Sequence, residues 1–173
     1  LRETHPNLCL IVVPRHPSRA PKIVTQFQSE GFKVVAESMG IELISRSHFD
    51  VLIGDVMGRL FDLYGMADVA MVGGSFVKMG GHNPIEPAVY GIPIIVGPEQ
   101  YNFAEVMADF ERLGGLRTAF DSQDLYKILN SLLLSERQRR EMGSAALATV
   151  NENRGATEKL VEMLKKRILA LIA

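Results

Sequence analysis

The chain has 173 residues, 47% of them apolar and 23% charged, with a formal net charge of −1. That is the composition of one globular domain large enough to bury its own core, not of a disordered chain. No basic stripe argues for a nucleic-acid partner, no apolar run reaches the roughly 18 residues of a membrane span, and there is no signal peptide.

Residues 1 to 7 read as a helix end and a turn, so the chain is expected to be a piece of a longer protein. Leu8 to Val13 is a continuous apolar run, the pattern of a strand covered on both faces. Cys9 lies inside it and is expected to be a buried structural thiol. As the one cysteine it permits no internal disulfide, which suits a reducing compartment. After the loop Pro14-Arg15-His16-Pro17, a helix is expected from Pro21, with Ile23, Val24 and Phe27 on one face and Gly31 closing it. Lys33 to Ala36 reads as a second strand, Glu37 to Asp50 as a loop, and Val51 to Ile53 as a third strand. Gly54-Asp55-Val56-Met57-Gly58 follows, and Leu60, Phe61, Leu63 and Tyr64 give a helical face up to Ala67.

The densest stretch is Val69 to Pro98. A short apolar run, Val69 to Val72, leads into Gly73-Gly74-Ser75 and then Gly80-Gly81. Asn83-Pro84-Ile85-Glu86 has the grammar of a helix start: Asn as N-cap, Pro at the first helical position, Glu at the third. That helix ends near Gly91 and delivers the chain to the strand Pro93 to Val96. Asn102 is expected to cap a helix bearing Phe103, Val106, Met107 and Phe110, before a last strand over Leu116 to Phe120. Asp121 to Leu134 is helical by the spacing of Leu125, Ile128, Leu129 and Leu132. Ser135 caps the next helix, and a long amphipathic helix is expected over Glu152 to Ala173.

Strands alternating with helices give an α/β class: a Rossmann-like parallel sheet flanked by helices, with right-handed crossovers. Such sheets take their ligands outside the carboxyl ends of the strands, where three loops would meet. Arg15 offers a fork of donors to phosphate oxygens, against the plainer reading of a surface Arg packed on the sheet; His16 reads as its local partner. The Gly54–Gly58 loop could read a base through its backbone, or be an ordinary connection with Asp55 as turn residue. Asn83 and Glu86 could form only a capping box, yet a carboxylate at such a junction can also accept the hydroxyls of a ribose. His5, His16, His48 and His82 lack metal-ligand spacing, and no carboxylate pair stands out as a catalytic dyad.

Together Pro14-Arg15-His16-Pro17, Gly54-Asp55-x-Met57-Gly58 and Gly73-Gly74-Ser75-Phe76 with Gly80-Gly81-His82-Asn83-Pro84-x-Glu86 closely resemble the bacterial Kdo transferases. That family moves 3-deoxy-D-manno-octulosonic acid (Kdo) from CMP-Kdo to lipid A precursors and has the two-domain GT-B architecture. The resemblance implies the C-terminal, donor-binding half, with the domain's own first strand missing and the general base on an absent N-terminal domain. Carried over by position, Arg15 and His16 would contact the CMP phosphate. Met57, Gly58, Arg59 and Leu60 would hold the cytosine through backbone groups. Asn83, Pro84, Ile85 and Glu86 would bind ribose and phosphate. Arg59 stands where many relatives have an acidic residue, so only its backbone role is carried over, and Val56 replaces a more usual Thr. The resemblance further implies no metal cofactor, no catalytic residue in this piece, a lipid A precursor and the protein's own N-terminal domain as partners, and work at the cytoplasmic face of the inner membrane by a piece itself soluble. The residues leave open another GT-B enzyme using a UDP-sugar, a UDP-N-acetylglucosamine 2-epimerase among them, or an interaction module that binds no nucleotide.

Overall fold

A computed structural model describes residues 1–40 and 48–154, together with 161, 163–165 and 167. Six short strands, β1 (Leu10–Val12), β2 (Val34–Ala36), β3 (Val51–Ile53), β4 (Ala70–Met71), β5 (Ile94–Val96) and β6 (Leu116–Thr118), are all paired in parallel. Six α-helices accompany them: α1 (Ala20–Ser29), α2 (Leu60–Tyr64), α3 (Ile85–Ala88), α4 (Ala104–Leu113), α5 (Ser122–Leu134) and α6 (Glu136–Asn153). The α/β class, parallel pairing and flanking helices expected from the sequence are all present. The strands fall into two sheets of three, ordered β1-β3-β2 and β4-β5-β6.

Alternation decides which side each strand residue covers. In β5, Ile94 and Val96 join Val72, Ala88, Met107, Phe110, Leu116 and Ala146 in one core cluster. Ile95, between them, points the other way and packs with Ala119, Leu132 and Met142. The second sheet is therefore buried on both faces, under α4 and Ala146 of α6 on one side and under α5 and Met142 of α6 on the other. In the first sheet α1 supplies the cover, with Ala20, Ile23, Val24 and Phe27 against Val51 and Ile53. At its edge β1 is only half shielded, and Leu10 is exposed. The expected burial of this strand on both faces is thus corrected: of its residues only Val12 packs against the α1 core, and Leu10 stays open. Cys9, just before β1, is exposed rather than buried.

The helix ends follow from capping chemistry. Asp121 accepts from the amides of Gln123 and Asp124, both at 2.8 Å, and Ser135 accepts from Gln138 at 3.3 Å. Asn102 is not the cap that the sequence suggested; α4 is entered through a 3₁₀ turn at Tyr101–Phe103. Asn102 instead donates its amide to the Met79 carbonyl at 3.2 Å. Helix α6 runs through Glu152 to Asn153, so no new helix begins there. Val161, residues 163–165 and Arg167 are helical; the rest of the expected terminal helix lies outside the described residues, as do 41–47 of the expected Glu37–Asp50 loop. No helix among the described residues is long and apolar enough to cross a membrane.

Candidate functional site

The carboxyl ends of β1, β3 and β4 carry the three loops singled out in the sequence. Arg15 and His16 leave β1, are exposed, and lead into the 3₁₀ turn Pro17–Arg19, whose Arg19 amide donates to the His16 carbonyl at 3.0 Å. The neighbouring turn after β3 starts at Gly54, which is buried in contact range of Val13 and Leu63 and so keeps the two strand ends side by side. Met57 stands out into solvent, 77% exposed, and Gly58 turns the chain with φ of 81°. Leu60 opens α2 and is half-buried.

The charged side chains of this turn are engaged elsewhere. Asp55 holds the start of the 3₁₀ turn after β2, accepting from the Ser38 amide at 2.9 Å and hydroxyl at 2.6 Å. Desolvation pushes the Asp55 carboxyl up, but the Ser38 hydroxyl and amide together outweigh it and hold it below its ordinary value. Arg59 donates from Nε to Glu37 at 2.8 Å and also pairs with Asp62. Its guanidinium is therefore committed to the turn after β2 and to α2, which leaves the backbone groups and the exposed Met57 side chain of this turn open to a ligand.

The glycine loop after β4 closes on itself. The Gly81 amide donates to the Gly74 carbonyl and the His82 amide to the Gly73 carbonyl, both at 3.1 Å. Gly74 and Gly81 have φ of 71° and 76°, the left-handed region that only glycine enters without strain. Ser75 is fully buried; its hydroxyl donates to the Val72 carbonyl at 2.6 Å and accepts from the Gly97 amide at 2.8 Å. It ties the loop after β4 to the loop after β5. The loop delivers Asn83, whose Oδ1 accepts from the Ile85 amide at 3.0 Å. The helix start is one residue later than expected: α3 begins at Ile85, with Pro84 as its N-cap and no side-chain cap bond. Glu86 does not reach back to the backbone as in a full capping box. Its Oε1 instead accepts from Asn83 Nδ2 at 3.4 Å. Pro84 is buried, and Ile85 is exposed.

One residue that sequence reasoning missed connects these loops. Burial, and after it the charge of Glu86, push the Tyr64 hydroxyl up to about 12. Tyr64 on α2 is thus within electrostatic reach of Glu86 on α3, and Phe61 meets Tyr90 with ring centroids 4.8 Å apart. The sequence placed Tyr64 on the apolar face of α2 but had no signal for its proximity to Glu86. The structure so joins the Met57–Leu60 turn to the Asn83–Glu86 turn through α2, and places Arg15 and His16 on the loop after β1, the strand paired with β3. It records no hydrogen bond or ion pair from Arg15 to either turn among the described residues. Two shallow hollows, beside Gln100 and beside Gln138, are lined by none of the predicted site residues. No group of three His, Cys, Asp or Glu is placed to hold a metal ion among the described residues.

No model of a protein family matches the chain. It is 36% identical over 162 residues to 3-deoxy-D-manno-octulosonic acid transferase of Haemophilus influenzae, covering 93% of this chain and 38% of that protein. It is 35% identical over 164 residues to the transferase of the same name from Bordetella pertussis, covering 95% of this chain and again 38% of the relative. The chain thus spans well under half the length of these curated relatives. Among solved structures it is similar to the C-terminal CMP-Kdo binding domain of WaaA from Acinetobacter baumannii, with a TM-score of 0.74 and 30% identity, covering 83% of this chain and 74% of that one. Sequence and fold agree, and the chain belongs to the 3-deoxy-D-manno-octulosonic acid transferase family, with the fold of its C-terminal domain.

Proposed function

We propose that the chain is the donor-binding domain of a glycosyltransferase that moves Kdo from CMP-Kdo to a lipid A precursor. The likeness to a solved CMP-Kdo binding domain, over 74% of that domain, carries this reading. In the reaction an acceptor hydroxyl attacks the anomeric carbon, the bond from that carbon to the phosphate oxygen breaks, and CMP leaves with the electron pair. Arg15 and His16 face the phosphate and offset its charge as it leaves. The backbone of Met57, Gly58, Arg59 and Leu60 holds the cytosine. Asn83, Pro84, Ile85 and Glu86 hold the ribose side, with Glu86 accepting its hydroxyls. Positioning is this domain's share of catalysis. The general base that takes the acceptor's proton sits on the protein's N-terminal domain, and the work is done at the cytoplasmic face of the inner membrane, where the lipid acceptor lies. No metal is needed for a donor carrying one phosphate.

Calorimetric titration with CMP and, separately, UDP tests the reading. CMP is expected to bind more tightly than UDP; the reverse preference would favour a UDP-sugar enzyme of the same fold. Arg15→Ala and Glu86→Ala should each weaken CMP binding by about 1.5–3 kcal/mol, roughly 10- to 150-fold, since each removes a charge-assisted hydrogen bond. Unchanged affinity in both would mean that the rim does not hold the nucleotide. Turnover by the 173-residue chain alone would show that the base is not on another domain.

A further inference from the structure

The turn assigned to the base has no backbone bonds of its own. Among the described residues no amide or carbonyl of Val56, Met57 or Gly58 bonds another backbone group, and all three residues are exposed. Gly58 has φ of 81°, the value that the third residue of a type II turn requires. A type I turn differs by reversal of the central peptide, and glycine accommodates both. Reversal at Met57–Gly58 would exchange a carbonyl for an amide at the surface of the turn. Cytosine and uracil differ in the same sense, an amino donor in one standing where the other has a carbonyl acceptor. A turn that reads the base with its backbone therefore discriminates only while something outside it holds one orientation.

The holding groups come from the neighbouring strand. β2 and β3 run parallel with Ala36 opposite Ile53, so Glu37-Ser38 and Gly54-Asp55 leave the sheet side by side. In the 3₁₀ turn Glu37–Met39, Ser38 donates to Asp55 from its amide at 2.9 Å and its hydroxyl at 2.6 Å, and Glu37 accepts from Arg59 Nε at 2.8 Å. Asp55 and Arg59 are the residues on either side of the unbonded three. Asp62 also pairs with the Arg59 guanidinium, which ties this end to α2 as well. The Glu37 end is not a loose surface pair. Its side chain is 14% exposed, and its Oε2 is buried with no partner among the described residues. A carboxylate so placed adds little stability for the desolvation it suffers, and fixing one conformation is the best-attested use of such groups.

We propose that Glu37 and Ser38 are positioning residues for base recognition: they brace both ends of the Asp55–Arg59 turn and hold its backbone in the orientation that prefers cytosine to uracil. The role rests on the donor-binding reading above, in which this backbone holds the base, and neither side chain touches the nucleotide.

Calorimetry of the 173-residue chain with CMP, UMP and ribose 5-phosphate, which lacks a base, tests the brace. The parent should prefer CMP to UMP. Glu37→Ala should lower that preference about ten-fold, as loss of a charge-assisted bond would, and Ser38→Ala, which keeps the amide bond, by less. Both should leave the affinity for ribose 5-phosphate unchanged, which a general loosening of the fold would not. Glu37→Arg should abolish the preference, and Arg59→Glu added to it should restore most of it by re-forming the pair with its charges exchanged. The proposal is overturned if the parent shows no preference, if every variant keeps the parent's CMP-to-UMP ratio, or if ribose 5-phosphate is lost in step with CMP. A parent that binds none of the three overturns the donor-binding reading and this role together. A parent that prefers CMP, beside variants with the same ratio, overturns this role alone.

Discussion

At the scale of single residues, Tyr64 makes the sharpest prediction. Its hydroxyl is held protonated up to about 12 in the folded state, against an ordinary value of 10.0. The unfolded chain therefore releases this proton first as pH rises. Stability from this group is complete below pH 10 and is lost as pH climbs from 10 towards 12, in total about 2–3 kcal/mol. Urea unfolding at pH 9 and pH 11 should show the parent losing about 1 kcal/mol more than Tyr64→Phe across that interval. Equal losses would mean that Tyr64 is not shielded beside Glu86. The residue could not be found from the sequence, because helical spacing reports only that it faces inward. Arg59 shows the opposite case. The resemblance implied a backbone role alone, and in the structure Glu37 and Asp62 pair with its side chain.

At the scale of elements, cap geometry ranks two helix starts. Asp121 satisfies two amides at 2.8 Å, whereas Ser135 satisfies one at 3.3 Å. Asp121→Ala should cost about 1–2 kcal/mol in chemical unfolding and Ser135→Ala less than 1, the order being the test. A steric contact decides the setting of α6. A Cβ at Gly143 would overlap the Gly91 carbonyl oxygen, and one at Gly115 would lie 2.7 Å from the Cα of Ala146. Gly143→Ala has no flexible side chain to displace and must shift helix or backbone, costing about 1–3 kcal/mol. Neutral replacement would mean α6 has slack. The Ser135 cap was legible in the sequence, since the bond it makes is local, whereas Asp121, read as the first helical residue, is the cap instead. Asn102 was misread for the complementary reason. A capping residue and one that bonds a distant carbonyl such as that of Met79 look alike until the chain is folded.

At the scale of the whole molecule, strand positions and parallel pairing follow from runs such as Val51–Ile53 and Ile94–Val96, fully buried as expected. The division into two sheets does not, because pairing partners are set by contacts far apart in sequence. The candidate site was legible to the same degree. Its three loops were visible as glycine-, arginine- and asparagine-bearing breaks after apolar runs, and the approach of Tyr64 to Glu86 was not, because it joins two helices far apart in sequence. The two central strands β3 and β5 are paired on both sides and the edges on one. Hydrogen exchange should therefore be slowest at Ile53 and Ile95 and markedly faster at the amides of β1. Uniform protection across the first sheet would contradict β1 as an edge.

That edge has a covalent consequence. Cys9, exposed where β1 begins, is the one thiol in the chain. Its partial desolvation, reinforced by the charge of Asp50, raises the thiol's pKa despite an amide bond from Leu52 that acts the other way. Only the thiolate is the nucleophile, so at neutral pH the group should react slowly with alkylating agents and with a second copy of itself. Cys9 then offers a single site for attaching a reporter at alkaline pH, with little spontaneous cross-linking during handling.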